Sequence, residues 1–585
     1  MKTGENKPAA HTIEMQTTET QTEESADEQS SCVMDEEQVM EVTYGVEDNP
    51  PWALCVLLGF QHYLTAFGST LSVPLVLAGP LCMTYDPVAV SQLVGTIFFV
   101  GGIATLMQTT FGIRLPIIQG ATFAFLAPTF SILSLPKWQC PAFIVARIQG
   151  AVLVASLFQV VVGFSGLMTI MLRFIGPLVI APTVTLVGLA LFDVAAQKCS
   201  HQWGIAILTL VLIVVFSQCL HRAAIALPFG TITKHGCQGG ITKIRVFELF
   251  PVLLAMTVSW LICLILTYSG ALPQDPGHRG FWARTDARLS VLKDAQWVRI
   301  PYPGQWGLPT ISVGAVLGML AGVLASMIES IGDYYACARL SNAPPPPPHA
   351  INRGIGVEGL ACILAGAFGS ANGTTSYSEN VAAIGITKSQ GGASRRGVVN
   401  DCGLFRQTGG AVRHYSRPCG GGMFLAMFGM ITAVGISNLR YVEIRRPRNM
   451  FVLGLALFLG LAIPSWIEGN KNEIQTGNST VDQIIEVLLS TSMFVGGFVA
   501  FVLDNLLPGT DRDRGVIKWR QESRVAAKTS GHGDVYIHPL LQKLIHRIVI
   551  LGRLPFCPPA KICTSAVFER VRLGSTGNFD CENRL

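Results

Sequence analysis

Two carboxylates, Glu329 and Asp333, stand four residues apart inside an apolar run long enough to cross a membrane. On a helix, residues at this spacing share one face. Burying two carboxylates in hydrocarbon is costly, so pairing, protonation, a cation or a polar ligand must offset the cost. The pair therefore indicates a ligand or ion site. A polar network that only holds helices together is the alternative. An intramembrane aspartyl protease would need carboxylates from separate helices, and no motif for one is present.

A polar stretch at 369–388 carries the next candidates, Ser378, Glu379 and Asn380. It follows an apolar run and is rich in Gly, Ser, Thr and Asn. Irregular backbone at membrane depth is tolerated only where it is buried in protein or lines a cavity. A carboxylate accepts hydrogen bonds from ring N–H groups, and an amide both donates and accepts them. This pair suits a planar ligand with several hydrogen-bonding groups, such as a nucleobase.

A second interrupted run, LPIIQGATFAFLAP within 115–136, contains Phe123, whose ring offers a stacking face. Inverted-repeat transporters break helices at corresponding positions of their two halves, and the half-helix N-termini point at the ligand. The two interrupted runs predict such a paired site. Two independently kinked helices are the alternative, because Gly and Pro are common in membrane helices.

The composition indicates the elements that must position these residues. Of 585 residues, 50% are hydrophobic and 14% are charged, against about 25% charged in soluble proteins. Repeated apolar runs of spanning length predict an all-α polytopic membrane protein. The net charge of +5 does not indicate a nucleic-acid partner. The 15 cysteines show no metal-ligand spacing, and an outer disulfide such as Cys140–Cys199 is left open.

Positive charges give the orientation. Basic residues follow the even-numbered runs, namely Arg114, Arg173, Arg222, Arg353 and Lys388. The positive-inside rule then places the N-terminus in the cytoplasm. Residues 391–419 do not fit, because a further span is expected there and the stretch is basic instead. A re-entrant loop, a strained topology or an altered sequence would each account for it.

The motifs together resemble one known family. Residues 379–388, ENVAAIGITK, are similar to the signature of the nucleobase–ascorbate transporters. ESIGD at 329–333 resembles the family's eighth-span motif. Gln61-His62 resembles the first-span motif, and FAF at 123–125 the third. The resemblance covers roughly residues 45–390 and 420–510, and the background at 281–288 and 328–353 is similar to the animal vitamin C transporter branch.

The resemblance implies a 7+7 inverted-repeat transporter fold with core and gate domains, working as an elevator and as a homodimer. We expect 13–14 spans here, because the eleventh is disrupted. The implied organisation is a disordered acidic cytoplasmic tail at 1–48, core domain at 49–172 and 312–420 (aberrant at 391–419), gate domain at 173–272 and 421–506, an extracellular connection at 273–311, and a cytoplasmic tail at 507–585.

The resemblance also implies roles for the candidate residues. Glu329 would grip a base and Glu379 would be the second polar anchor, with Ser378 and Asn380 beside it. Phe123 would stack on the ring. Asp333 would couple transport to sodium, and the first-span motif, Gln61 and His62, is assigned to the same role. No cofactor other than the sodium ion is implied, and no enzymatic activity.

Position 379 separates the substrate classes within the resemblance, because the ascorbate branch has Pro there and nucleobase carriers have Glu or Gln. Ascorbate is an anion, which a second buried carboxylate would repel. We therefore expect sodium-coupled uptake of uracil, thymine, guanine, hypoxanthine or xanthine at the plasma membrane. Ascorbate transport, or a non-transporting relative that lacks the eleventh span, are the alternatives. Asn478-Ser-Thr480 is a glycosylation sequon expected to face outside.

Overall fold

The computed structural model describes residues 70–83, 86–133, 144–220, 251–275, 277–286, 300–341, 343–377, 417–470 and 473–518. Shorter described pieces are 222–223, 225–227, 231–233, 236–238, 242–244, residue 247, 535–537 and 554–558. All of them fall in a unit that spans Val42–Leu585. The candidate residues Gln61, His62, Ser378, Glu379 and Asn380 lie outside the described residues, as do the tail at 1–48 and most of 391–419.

In the first half of the chain, residues 70–77 are helical. The labelled elements that follow are α1 (Pro87–Thr110), β1 (Gln119–Ala121), a 3₁₀ turn (Phe123–Phe125), α2 (Leu126–Leu133), α3 (Ile144–Ser165), α4 (Leu167–Phe174), α5 (Pro177–Leu189), α6 (Phe192–Cys199), α7 (Trp203–Val214) with a π turn (Val215–Cys219), β2 (Ile225–Leu227), β3 (Thr231–Thr233), β4 (Gly236–Gln238), β5 (Thr242–Ile244) and α8 (Pro251–Tyr268).

In the second half, the elements are a 3₁₀ turn (Arg279–Ala283), α9 (Val313–Leu340), α10 (Pro348–Phe368), β6 (Thr374–Ser376), α11 (Arg417–Ser437), a 3₁₀ turn (Asn438–Tyr441), α12 (Pro447–Gly469), α13 (Ser479–Leu489) and α14 (Ser492–Leu506). β2 pairs with β5 and β3 with β4, both antiparallel.

The described helices confirm the all-α polytopic class. Eight of them are long and apolar enough to cross a membrane, and a ninth span is counted if α13 and α14, bent by 83°, form one. A helix can cross the bilayer because it satisfies its own backbone hydrogen bonds. Its side chains are apolar because they contact lipid or other helices there. The expected 13–14 spans stay a prediction, because several predicted spans lie outside the described residues.

The helices contact one another in two groups. α10 packs on α3, α1 and α9, and α9 also contacts α3 and α2. In the other group, α11 packs on α5, α7 and α6, while α14 packs on α12 and α5. α9 joins the groups through contacts with α13, α14 and α5. We call the first set the site group and the second the α5–α14 group.

Glycine allows the central pair of the site group, α3 and α10, to approach closely. A Cβ at Gly163 would lie 2.2 Å from the backbone nitrogen of Gly356, and one at Gly359 would lie 2.7 Å from that of Val160. Small residues at helix contacts let membrane helices pack backbone to backbone. This approach brings Gln159 of α3 against Glu358 of α10.

The two interrupted runs meet. β1 pairs antiparallel with β6, with Gln119 opposite Ser376 and Ala121 opposite Thr374. Both strands are buried along their length. Each broken segment thereby supplies hydrogen-bond partners to the other. Two unrelated kinks are therefore the wrong explanation for these residues, because the two broken segments pair with each other. That they form a ligand site stays a prediction.

Buried charges hold one end of the α5–α14 group together. The Asp504 carboxylate is buried and accepts hydrogen bonds from Arg448 at 2.9 Å and from Arg514 at 3.0 Å. Arg514 also donates to the carbonyl of Phe174, at the end of α4. The basic connection before α12 therefore lies at the same end of the bundle as the end of α4, beside Arg173.

The opposite end of α11 lies beside α8. The sulfurs of Cys263 and Cys419 are 3.8 Å apart, and both side chains are buried. α11 therefore runs from the end of α8 toward the end that holds Arg448. Cys199 carries a free, buried thiol, so the disulfide considered between Cys140 and Cys199 is wrong. Cys82 forms a disulfide bond.

Candidate functional site

The strand pair β1–β6 forms the irregular centre of the candidate site. The backbone N–H of Gln119 donates to the hydroxyl of Thr105 on α1 at 2.9 Å. The Tyr377 N–H donates to the carbonyl of Ile118 at 3.0 Å, and its hydroxyl donates to the carbonyl of Ala121 at 2.8 Å. Non-helical backbone is thus satisfied while buried in protein, as membrane depth requires.

Glycine at position 120 permits this closure. A Cβ there would lie 2.4 Å from the ring of Tyr377. The tyrosine ring therefore covers β1 directly. Residue 377 ends the described part of the signature stretch, so Ser378, Glu379 and Asn380 follow the strand pair in sequence and their positions stay a prediction.

The face of α9 that carries Glu329 and Asp333 meets β6. Ser376 donates a hydrogen bond to Asp333 at 2.7 Å, and the hydroxyls of Ser330 and Thr375 are 2.8 Å apart. Asp333 is buried and Glu329 is half-buried, one residue before Ser330. The structure therefore brings Asp333 of the predicted pair into contact with one of the two broken segments.

A third carboxylate, Glu358 on α10, stands in the centre of this network and was missed by sequence reasoning. It is 1% exposed. Its Oε2 accepts from Ser330 at 2.6 Å and from Tyr334 at 3.1 Å, and its Oε1 accepts from Gln159 at 3.0 Å. The signal that could have found it is a carboxylate inside an apolar run, which is also part of the signal that identified the Glu329–Asp333 pair.

The network extends to α1. The amide of Gln108 donates to the hydroxyl of Tyr334 and, at 3.2 Å, to the carbonyl of Gly354. The Tyr334 hydroxyl in turn donates a hydrogen bond to Glu358. Four helices, α1, α3, α9 and α10, are therefore joined by side chains through one buried carboxylate. Buried networks of this kind restrict the relative positions of their members, and here Oε1 of Gln108 and Oε1 of Gln159 have no partner among the described residues.

Phe123 lies on the other broken segment, where the two helix groups meet. Its ring is nearly buried and packs edge-on against Phe428 of α11, with centroids 5.7 Å apart and an interplanar angle of 85°. Phe428 in turn stacks on Phe424. Phe123 and Phe428 therefore form an aromatic contact between the first broken segment and the α5–α14 group.

The arrangement can bind neutral N–H donors or a hard cation. Its polar groups are carboxylates, hydroxyls and amides, and oxygen ligands suit hard cations. Both polar atoms of the buried Gln119 side chain, on β1, have no partner among the described residues. Within the same residues, no group of three or more His, Cys, Asp or Glu side chains could hold a metal ion.

Asn478, the sequon residue, is exposed just before α13.

Comparisons with known proteins agree with this architecture. The model of the Permease family matches residues 54–469. Solute carrier family 23 member 1 of Mus musculus is 46% identical over 544 residues, covering 88% of this chain and 89% of that relative. Solute carrier family 23 member 2 of Homo sapiens is 47% identical, covering 88% and 82%. Nucleobase-ascorbate transporter 2 of Arabidopsis thaliana is 33% identical, covering 86% and 95%.

Proposed function

Because this chain belongs to the permease family of nucleobase–ascorbate transporters, we propose that it is a sodium-coupled carrier of neutral nucleobases such as uracil, thymine, guanine, hypoxanthine and xanthine. It is a multi-pass membrane transporter, and no step of its work is enzymatic. The substrate class and the coupling ion are the parts that are proposed.

The observation that carries the nucleobase proposal is the concentration of carboxylates around β6. Asp333 and Glu358 are buried and Glu329 is half-buried, while position 379 adds a fourth acid in the signature. The hydrogen bonds that Glu358 accepts from described residues come from neutral groups. An ionised carboxylate about 6 Å from an anion would oppose it by about 3 kcal/mol at an effective dielectric constant of ~20. A neutral base meets no such repulsion and offers N–H donors to carboxylate oxygens.

Sodium coupling is supported by the same cluster. Asp333 lies within hydrogen-bonding reach of the Ser376 hydroxyl, and that hydroxyl is 3.2 Å from Ser330. An ion bound among these oxygens would offset the cost of the buried carboxylates. Asp333 is our proposed coupling residue, with Gln61 and His62 of the first span as further candidates from the family resemblance.

Elevator movement is supported by the two helix groups. The site group carries the strand pair and the carboxylates of Glu329, Asp333 and Glu358, and it corresponds to the proposed core domain. The α5–α14 group corresponds to the gate domain. Phe123 faces Phe428 across their contact, so a base stacked on Phe123 would sit between the parts that move. We further propose a homodimer in the plasma membrane with both termini cytoplasmic.

Ascorbate uptake is the second candidate, favoured by one specific observation. A plant relative that is 33% identical is named a nucleobase-ascorbate transporter, so the family name covers both substrates. A third candidate is a relative that does not transport, because residues 391–419 lack the apolar character of a span.

Uptake measurements test the proposal. The full chain would be expressed in cells without endogenous uptake, and radiolabelled uracil and ascorbate would be compared with and without sodium. We expect sodium-dependent uracil uptake that Glu379→Pro abolishes. Ascorbate uptake without uracil uptake would contradict the substrate class, and unchanged uracil uptake by Glu379→Pro would contradict the role of that residue.

A matched variant tests the disrupted span. Replacing 397–419 with an apolar segment of equal length should raise uptake if the missing span limits transport. Equal, robust uptake by both chains would show that the sequence at 391–419 does not limit transport. Uptake by the restored chain alone would support the non-transporting alternative for the chain as it stands.

A further inference from the structure

The C-terminal tail contacts the site group through two short pieces, residues 535–537 and 554–558, which we call the clasp. Arg114, just after α1, donates to the carbonyl of Ile537, and Arg353 of α10 donates to the carbonyl of Tyr536. The Tyr536 hydroxyl donates to the carbonyl of Pro344, in the connection between α9 and α10. Tyr536 is only 2% exposed.

The second piece of the clasp extends the contact to α3. The amide of Asn352 donates to the carbonyl of Pro555 at 3.1 Å. The ring of Phe556 packs edge-on against Phe164, with centroids 5.1 Å apart. Cys557 is buried. The clasp therefore touches α3, α10 and the chain ends of α1 and α9, which are the four helices joined by the Glu358 network.

Arg353 connects the clasp to that network. Its Nε donates to the carbonyl of Gly112 at 2.8 Å, four residues after Gln108, and its other contact is the tail carbonyl. Gln108 donates to the carbonyl of Gly354, the residue after Arg353. The end of α1 is thus tied to α10 twice, once through Gln108 inside the site and once through Arg353 under the clasp.

We propose that Arg353 is a positioning residue and that the clasp is a working part of the transporter. A guanidinium cannot be deprotonated in proteins and binds several acceptors in a fixed fork. Arg353 is 5% exposed, and its charge is met by carbonyls from two separate segments. The Nη1 of Arg353 already has no partner among the described residues, so losing the tail carbonyl would leave the buried cation still less satisfied. The contact between α1 and α10 would then weaken. The hydrogen-bond network that holds Ser330 and Glu358 against β6 would weaken with it.

A matched set of full-length variants tests this proposal. Arg353→Lys keeps the charge but cannot hold both carbonyls. The pair Tyr536→Ala with Phe556→Ala weakens the clasp without touching any helix of the bundle. Arg173→Lys, an exposed arginine at the end of α4, is the control. The fourth variant combines Arg353→Lys with the tail pair.

Two buried thiols report the outcome in membranes. Cys557 reports the clasp, and Cys362, which lies 3.1 Å from the carbonyl of Thr374 in β6, reports the site. Maleimide labelling of each would be followed by mass spectrometry of its peptide. Uracil uptake per transporter at the surface is the third readout. That readout rests on the proposed function, whereas the thiol readouts do not depend on the substrate.

We expect Arg353→Lys and the tail pair each to speed labelling of both thiols by about tenfold and to lower uptake by about tenfold. This factor corresponds to the free energy of one lost hydrogen bond to a charged group. The combined variant should be no worse than either, because residues that act as a unit are non-additive. Faster Cys557 labelling with unchanged Cys362 labelling would overturn the proposal, as would additive losses, which would mean that Arg353 acts through Gly112 alone. If Arg353→Lys does not reach the surface, the tail pair decides.

Discussion

Glu358→Gln is the substitution that most directly tests the buried network. Glutamine has nearly the same shape, so the packing of α10 on α3 is retained and the change is confined to charge and hydrogen bonding. The side-chain oxygen can still accept from Gln159. With the oxygen in that place, the new NH₂ group faces Ser330 and Tyr334, which both donate to the carboxylate now. In the opposite orientation it faces the Gln159 amide, which also donates now.

The magnitude follows from what those two hydroxyls can do. Ser330 can reverse its role, because the Thr375 hydroxyl is 2.8 Å away and can accept. Tyr334 already accepts from Gln108, so its own proton loses its acceptor unless the Gln108 amide turns its Oε1 toward it, which would break the Gln108 bond to the Gly354 carbonyl. An unsatisfied buried donor costs roughly 1–3 kcal/mol. Taking ~2 kcal/mol for the loss of site geometry predicts a drop of about 30-fold in uptake efficiency.

Stability should respond differently from uptake. Burying an ionised carboxylate costs several kcal/mol for an isolated ion, and glutamine avoids that cost. The two effects oppose each other in the folded protein, so we expect normal surface abundance and little change in the thermal midpoint. Only uptake depends on the exact position of Ser330 beside Glu329.

The assay is the initial rate of sodium-dependent uracil uptake over a range of concentrations, divided by the amount of transporter at the surface. Glu468→Gln, at an exposed position on α12, is the matched control and should behave as the unaltered chain does. An uptake efficiency for Glu358→Gln within about threefold of the unaltered chain would refute the reasoning, since ~0.7 kcal/mol or less would then separate them.

Three further substitutions test separate features. Gly120→Ala should lower uptake by tenfold or more, because its methyl group would lie in the ring of Tyr377, and Tyr377→Ala in the same chain should restore part of the loss. Asp504→Asn should destabilise the protein by about 3 kcal/mol, since it leaves two arginines without their buried partner. A lower thermal midpoint checks this, with the exposed Asp511→Asn as control. Asn478→Gln should abolish a glycan-dependent shift in gel mobility, and the absence of a glycan on the unaltered chain would contradict the proposed orientation.

Several features could be read from residue types and spacing. The apolar runs predict membrane helices because each helix satisfies its own backbone within the bilayer. The spacing of Glu329 and Asp333 predicts a shared face because a helix has a fixed period. The polar interruptions around 119 and 375 were recognisable as sites for the same physical reason, since irregular backbone at that depth requires outside partners.

Only the tertiary structure decided which partners those were. A broken segment cannot provide its own hydrogen bonds, so β1 obtains them from β6, whose residues are more than 250 positions away in the chain. Glu358 looks like one polar residue in an apolar run until α3, α9 and α1 surround it. The clasp likewise cannot be predicted from sequence. Arg353 donates to a backbone carbonyl of the tail, and every residue type has such a carbonyl. Contacts through backbone atoms and between distant segments depend on how the helices pack, and local sequence does not specify that packing.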